Sequence, residues 1–200
     1  MNEKDKLQTP WSENIIIVDA DHLDRVCFDL TVNFERMLNR RIPKADLARW
    51  IDCAALDGGV REGDNHTHVI FIHSKEKAAF DNFAPSDFEQ DIHGKAFSDN
   101  LGEFTLSAIP IEEKVGGERL LLDTVALICQ QKEVKRVIVA ADEDKDWDDL
   151  RRLLQKMDDE KRITLLAMQP LPGGNFRQEI LGYSLMSALG IRGEELGGGE

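Results

Sequence analysis

The sequence of 200 residues has no long apolar run, no closely spaced cysteines and a polar start. No segment approaches the roughly 18 consecutive apolar residues that suggest a membrane-spanning helix, so a membrane is not expected as a partner. Residues 1–14 lack the apolar stretch of a signal peptide, so none is expected. Cys27, Cys53 and Cys129 lie singly in amphipathic stretches, which predicts reduced thiols in the core of a cytoplasmic protein.

Basic residues are scarce relative to acidic ones. The chain has 25 Lys and Arg residues against 38 Asp and Glu residues, which gives a formal net charge of −13. Proteins that bind nucleic acid usually present a basic face. This sequence has no basic cluster larger than pairs such as Arg40-Arg41. An RNA partner would have to be bound against this overall repulsion, and nothing in the sequence supports a homo-oligomer.

The distribution of apolar residues predicts one domain over residues 14–190, with a disordered lead-in at 1–13 and a flexible tail at 191–200. Short apolar runs predict five strands, at 14–18, 68–73, 103–109, 136–141 and 163–168. Between and after them, the predicted helices include those at about 22–40, from 43 to a stop at 58–59, at 75–83 and at 176–189. Strands that alternate with helices favour an open, mostly parallel sheet covered on both faces.

Acidic residues follow two of the predicted strands at their carboxyl ends. Asp19 and Asp21 come after the first strand, and Asp142 and Asp144 come after the fourth. Ligands of open α/β sheets bind at the carboxyl ends of strands where the strand order reverses, so the two pairs would meet if these strands were neighbours. Two carboxylates ~4 Å apart repel by about 4 kcal/mol at an effective dielectric near 20. A divalent cation with oxygen ligands would offset that repulsion, although an Asp after a strand also suits the cap of the following helix.

Asp123 lies in the middle of a predicted helix that is otherwise apolar almost all round. Its neighbours on the same helical face are Leu120, Ala126 and Leu127, so we expect its carboxylate to face other protein. A buried carboxylate is normally paired or bound to a metal, because leaving it unpaired is costly. Asp123 is therefore a candidate to join the other two acidic groups, and a salt bridge to Arg119 is the competing interpretation.

Two short motifs surround the acidic residues at the ends of the first and fourth strands. Val18-Asp-Ala-Asp-His-Leu23 resembles the I-D-G-x-N-L opening of NYN domains, a branch of the PIN-like nucleases. Ala140-Ala-Asp-Glu-Asp144 lies where that family has S-G-D-x-D-F, and the order of elements agrees over roughly residues 14–170. The resemblance implies a three-layer α/β/α sandwich with a five-stranded, mostly parallel sheet in the order 3-2-1-4-5. It also implies cleavage of RNA that depends on Mg²⁺ or Mn²⁺.

Carried over by position, the resemblance implies that the metal-binding and catalytic acids are Asp19, Asp123, Asp142 and Asp144. The chain departs from the family motifs, since His22 stands where the family has Asn. If Trp147 were the aromatic residue of the second motif in another register, Asp144 and Asp146 would form the acid pair. These departures imply a catalytically weakened member, with Asp21, His22 and Asp146 as secondary candidates for the site.

Two other interpretations stay open. A haloacid-dehalogenase-type phosphatase would use Asp19 as nucleophile and Asp21 as acid, but Leu23 stands where such enzymes usually have Thr. A non-enzymatic, receiver-like or adaptor domain is the second alternative, although the strand at 68–73 supplies no Asp that could accept a phosphoryl group. Neither alternative explains an acidic residue at Asp123.

Overall fold

The structure is a computed structural model, and it describes residues 11–111, 117–157 and 161–197. Residues 1–10 of the predicted lead-in and residues 198–200 of the predicted tail lie outside these ranges. The strands are β1 (Asn14–Asp19), β2 (Ala45–Asp46), β3 (His66–Ser74), β4 (Phe83–Ala84), β5 (Ala96–Asp99), β6 (Gly102–Ile111), β7 (Arg136–Ala140), β8 (Arg162–Ala167) and β9 (Arg177–Ile180). The helices are α1 (Ala20–Leu38), α2 (Leu47–Asp57), α3 (Gly117–Cys129), α4 (Glu143–Gln155), α5 (Leu181–Ala188) and α6 (Gly193–Leu196), and Phe88–Ile92 forms a π-helical turn.

Seven of the strands form one large sheet in the order β5-β6-β3-β1-β7-β8-β9. Every pairing in this sheet is parallel except that of β5 with β6, which is antiparallel. β2 and β4 pair with each other in a small separate sheet. The predicted α/β class and the mostly parallel sheet are therefore confirmed, but the sheet has seven strands rather than the predicted five.

The central strand β1 is buried on both faces, because helices cover both sides of the sheet. Ile16 and Val18 belong to a core shared with α1, α2 and α5. Ile15 and Ile17 belong to a second core shared with α3 and α4. All four side chains are fully buried, and each contributes about 1.5–3 kcal/mol by leaving water. This double burial explains why the strand is a continuous apolar run rather than an alternating one.

The predicted helix at 75–83 is wrong, because these residues form a loop that ends in β4. Asp24 of α1 explains the difference. Its buried carboxylate accepts hydrogen bonds from the backbone amides of Asp81, at 3.0 Å, and Asn82, at 2.9 Å. Lys77 Nζ lies 3.7 Å from the same carboxylate. The loop amides are thus satisfied by a side chain from a distant helix, which no local pattern could reveal.

The predicted helix at 176–189 is wrong over its first part. Residues Arg177–Ile180 form β9, which pairs in parallel with β8, and α5 begins only at Leu181. Hydrogen bonding to the open edge of β8 outweighs the weak local preference for helix. The second predicted helix also starts later than expected, at Leu47, where Asp46 caps it by accepting from the amide of Arg49.

The predicted flexible tail contains the short helix α6. Arg40, just beyond α1, holds this helix through a salt bridge of 2.8 Å to Glu195.

The three cysteines are free thiols. Within the described ranges, no helix combines the length and apolar character needed to cross a membrane.

Candidate functional site

The carboxyl ends of β1 and β7 lie side by side in the sheet. The two strands pair in parallel from Asn14 with Arg136 to Val18 with Ala140. Asp19 is the last residue of β1 and Asp142 lies two residues beyond β7, so the two acids meet at one edge of the sheet. The predicted adjacency of the first and fourth predicted strands is confirmed. β1 lies between β3 and β7 in the sheet. The strands that come next in the chain, β3 and β6, lie on one side of β1, and the later strands β7 and β8 lie on its other side, so the strand order reverses at β1. This is the crevice in which open α/β sheets bind ligands.

Each of the two acids caps a helix. One carboxylate oxygen of Asp19 accepts from the backbone amide of His22 at 3.0 Å, at the start of α1. Asp142 Oδ1 accepts from the amide of Asp144 at 3.1 Å, at the start of α4. Capping satisfies amides that the helix itself cannot satisfy, and a negative charge is favourable there. The local fold therefore fixes both acids at the same edge of the sheet.

Arg25 supplies the positive charge nearest to Asp142. Its Nη2 donates to Asp142 Oδ2 at 3.0 Å. The Asp142 side chain is 7% exposed and that of Arg25 is 54% exposed, so a buried carboxylate is paired with a cation that reaches in from solvent. Both oxygens of Asp142 thus have partners within the protein, one on the helix cap and one on Arg25.

His22 is buried between Asp142 and Glu143. Its Nδ1 lies 3.8 Å from Asp142 Oδ2, and its Nε2 lies 3.4 Å from Glu143 Oε2. Neither atom of the second pair has a well-aligned hydrogen-bond partner within the described residues, so this contact is electrostatic. Glu143 Oε1 accepts from the backbone amide of Met168 at 3.0 Å. Burial alone would raise the pKa of Glu143, but His22 and the Met168 amide outweigh it and hold that pKa below its usual range.

Asp19 and Asp21 complete the acidic cluster. Burial raises the pKa of Asp19 above its usual range, His22 opposes this, and the charges of Asp21 and Asp142 raise it further. Asp21 Oδ2 accepts from the backbone amide of Ser74, at the end of β3, at 2.9 Å. Asp21 Oδ1 is buried and has no hydrogen-bond partner within the described residues. The cluster therefore spans the carboxyl ends of three neighbouring strands.

A family model matches residues 8–196 of the sequence. The chain belongs to DUF6621, a family of unknown function. Comparisons with curated proteins and with solved structures gave no match. The match to DUF6621 extends from before β1 to the end of α6, so the whole sheet and the acidic cluster lie within the region that defines the family.

The expectation that Asp123 faces other protein is wrong for this DUF6621 chain. Its side chain is exposed, whereas Leu121, Val125 and Ile128 of the same helix are buried against the sheet. At 100° per residue, Asp123 lies about 200° from Leu121 and from Val125, which is the opposite face of α3. Its carboxylate therefore points away from the sheet that carries Asp19. The helix is apolar enough that sequence alone could not fix its buried face.

Of the remaining predicted acids, Asp144 adds no side-chain contact to the cluster within the described residues. The side chain of Asp144 is exposed, and only its backbone amide takes part. The side chain of Asp146 lies outside the described part of the structure. Sequence reasoning named Arg25 only as part of a possible basic rim for RNA, and it missed Glu143 and the pairing of Arg25 with Asp142. The only signal for Glu143 was its place in an acidic run, and a pairing of Arg25 with a residue 117 positions away has no sequence signal.

No group of three His, Cys, Asp or Glu side chains within the described residues is placed to hold a metal ion. Asp142 has both oxygens engaged, and one oxygen of Asp19 is used by a helix cap. What the site offers instead is a cluster of carboxylates, those of Asp19, Asp21, Asp142 and Glu143, with one partly exposed guanidinium, that of Arg25, at its rim. Such a rim can donate hydrogen bonds to an anionic group.

Proposed function

We propose that this chain is a PIN-like domain that acts on RNA, and that its cleavage activity is weak because Arg25, rather than a metal ion, neutralises Asp142. The observation that carries the proposal is the meeting of Asp19 and Asp142 at the carboxyl ends of adjacent strands. In this reading, the acidic cluster corresponds to the Mg²⁺ or Mn²⁺ site of the family that the sequence resembles. RNA is then the substrate class, bound at the crevice between β1 and β7.

The order of the strands supports the PIN-like part of the proposal. The five strands expected from the sequence correspond to β1, β3, β6, β7 and β8. They are neighbours in the order β6-β3-β1-β7-β8, which is the order third, second, first, fourth, fifth along the chain. The resemblance to NYN domains implies the same order. β5 and β9 extend this arrangement at its two edges.

The electrostatics of the cluster support weakened catalysis. A guanidinium at 3.0 Å from Asp142 neutralises the carboxylate that a metal would need, so a metal must compete with Arg25 for it. His22 adds a second group that favours the ionised form of Glu143. The partly exposed Arg25 can also donate to a phosphate of the RNA backbone. The chain would then still bind RNA even though it cleaves RNA slowly.

The competition between Arg25 and a metal can be tested with Arg25→Gln. The wild-type melting temperature should respond weakly to Mn²⁺, and the variant should respond strongly because Asp142 Oδ2 becomes free. At 100 times the dissociation constant the stabilisation is ~2.7 kcal/mol, or roughly 5–11 °C for a domain of this size. Adding Asp142→Asn to this variant should abolish the response. Arg36→Gln is the matched control, because Arg36 is an exposed arginine on the same helix.

Cleavage of fluorescent single-stranded RNA in Mn²⁺ is the second readout. Activity should rise in Arg25→Gln and stay at the wild-type level in Arg36→Gln. If Arg25→Gln gains neither a Mn²⁺ response nor cleavage while remaining folded, the proposal is wrong.

A non-enzymatic adaptor domain is the second candidate function. The observation in its favour is that both oxygens of Asp142 have partners within the protein, Arg25 and the amide of Asp144, and that Glu143 Oε1 accepts from the amide of Met168. On this reading the cluster only stabilises the turn between strand and helix. This candidate would be favoured if the wild-type chain did not bind RNA at low salt and Arg25→Gln showed no response to Mn²⁺.

A further inference from the structure

Four arginines line one cavity at the other end of the sheet from the acidic cluster. Arg136, Arg162 and Arg177 are the first residues of β7, β8 and β9, and Arg61 lies just beyond α2. The cavity has a volume of about 500 Å³. Open α/β sheets bind their usual ligands at the carboxyl ends of strands, so the fold alone does not account for a basic cavity at the amino ends. The net charge of the chain is −13, so the overall composition does not account for four arginines around one cavity.

Arg136 is held rigidly at the base of the cavity. Its Nη1 donates to the carbonyl of Gly58 at 2.6 Å, and its Nε donates to Asn14 Oδ1 at 3.3 Å. Gly59 has a φ of +91°, and a Cβ at this position would lie 2.6 Å from Arg136 Nη1. Glycine at 59 therefore allows both the turn and the close approach of the guanidinium. A fixed guanidinium loses little freedom when it binds a ligand.

The arginines repel one another in the absence of a ligand. Burial lowers the pKa of Arg136, and the charges of Arg162, Arg61 and Arg177 lower it further, with only Glu13 acting in the opposite direction. The Arg162 side chain is exposed at the mouth of the cavity. Within the described residues it makes no hydrogen bond and no ion pair, so its guanidinium is available to a ligand.

Acidic groups balance this charge only in part. Arg177 is paired with Glu179 at 2.7 Å. Asp57 lies near that pair, and burial together with the charge of Glu179 raises its pKa to about 6, while Arg177 opposes this. Among the residues that the structure describes, no acidic side chain lines the cavity itself. An anion between the arginines would relieve their repulsion.

We propose that this cavity binds a ligand with adjacent phosphate groups. Guanidinium groups have a planar fork of N–H donors that matches phosphate oxygens in pairs, and Arg136, Arg162 and Arg61 present three of them around one space. A single phosphate would leave part of this positive charge unused, whereas a diphosphate or triphosphate can contact several arginines at once. The volume lies within the range of small-ligand sites, ~300–1,000 Å³. The hydroxyl-bearing Thr164 adds a polar group to the same wall.

The phosphate groups can come from a small polyphosphate, such as a nucleoside triphosphate, or from an RNA chain. Both sources share the chemistry that the arginines recognise. Binding should weaken as the salt concentration rises, because the contacts are ionic. The site is independent of the acidic cluster, so Asp142→Asn should leave it unchanged.

The test uses calorimetric titration of the full chain with pyrophosphate, ATP and inorganic phosphate at low salt. Pyrophosphate and ATP should bind at least tenfold more tightly than inorganic phosphate. Arg162→Ala and Arg61→Ala should each weaken pyrophosphate binding at least tenfold. Arg162 is exposed, so its change should not impair folding. Arg61 Nη1 donates to the carbonyls of Leu56, at 3.0 Å, and Val60, at 2.9 Å, so a melting curve checks that Arg61→Ala remains folded. Arg41→Ala is the matched control, since Arg41 is an exposed arginine outside the cavity.

The proposal is overturned if pyrophosphate gives no heat at low salt, or if Arg41→Ala weakens binding as much as Arg162→Ala does. Competition between pyrophosphate and a single-stranded RNA, lost in Arg162→Ala, would support RNA as the source of the phosphates. Pyrophosphate binding that RNA does not displace would support a small polyphosphate. An effect of Asp142→Asn equal to that of Arg162→Ala would overturn the assignment to this cavity.

Discussion

Asp19 and Asp142 lie in one cluster, yet neutralising them should change stability in opposite directions. Asn retains the helix-capping oxygen of either residue, so each substitution removes mainly a charge. Asp142→Asn removes the partner of Arg25 at 3.0 Å. A fully buried pair costs ~3–5 kcal/mol to break and an exposed pair ~0–1 kcal/mol. Because Arg25 is 54% exposed and regains water, we expect a loss of about 1–2 kcal/mol.

Asp19→Asn removes a charge that the structure does not favour. Burial raises the pKa of Asp19, and Asp21 and Asp142 add repulsion to it. An acid whose pKa is raised in the folded state contributes stability at low pH, and that stability is lost as the pH rises through the folded pKa. At pH 7 the amide should therefore leave the free energy of unfolding unchanged or increase it, and the dependence of stability on pH should flatten.

Urea denaturation at pH 7 measures both effects as free energies of unfolding, and thermal denaturation gives the corresponding melting temperatures. Asp142→Asn should lower the melting temperature by roughly 2–8 °C, since 1 kcal/mol corresponds to about 2–4 °C for a domain of this size. A double-mutant cycle with Arg25→Gln should recover most of that cost as coupling between the two residues. If Asp19→Asn destabilises the protein as much as Asp142→Asn, the electrostatic account of the cluster is wrong.

Three further predictions concern other acidic residues. Asp24→Ala should destabilise the protein by about 3 kcal/mol, because the backbone amides at 81–82 lose the buried carboxylate that accepts from them, and hydrogen exchange at those amides should accelerate. Burial and the neighbouring Asp99 carboxyl raise the pKa of Asp52 to about 7, so its contribution to stability is complete below about pH 4 and is lost as the pH rises through 7. Asp52→Asn should flatten the stability profile measured by urea denaturation between about pH 5 and 8; an unchanged profile would contradict this. Asp123→Asn should change the free energy of unfolding by less than about 0.5 kcal/mol, since the side chain is exposed, and a larger loss in thermal denaturation would show that the residue is paired.

The sequence was sufficient to predict features that depend on burial on both faces of a sheet. The apolar runs at β1 and β7 located these strands, and the rule that strand order reverses at a ligand crevice placed Asp19 and Asp142 together. The capping of α1 and α4 by these acids follows from the same local pattern.

Features that depend on distant partners could not be predicted. Arg25 meets Asp142 across 117 positions, and Asp24 holds a loop 57 positions away. β9 forms because β8 offers an open edge, which overrides a local helical pattern. The buried face of α3 was misjudged at Asp123, because a helix with apolar residues on most sides fits several orientations equally well.

The position of β1 in the middle of the sheet has a consequence for synthesis on the ribosome. β1 emerges before β7, which pairs along one of its edges and begins 122 residues later at Arg136. At about 5–20 residues per second, that edge waits roughly 6–24 s for its partner. During this time a fully apolar strand has an unpaired edge, which is a template for association with other chains. Nascent chains that stall before β7 should therefore depend on chaperones. Slower elongation lengthens the time during which the edge is unpaired, so it should lower the yield of folded protein.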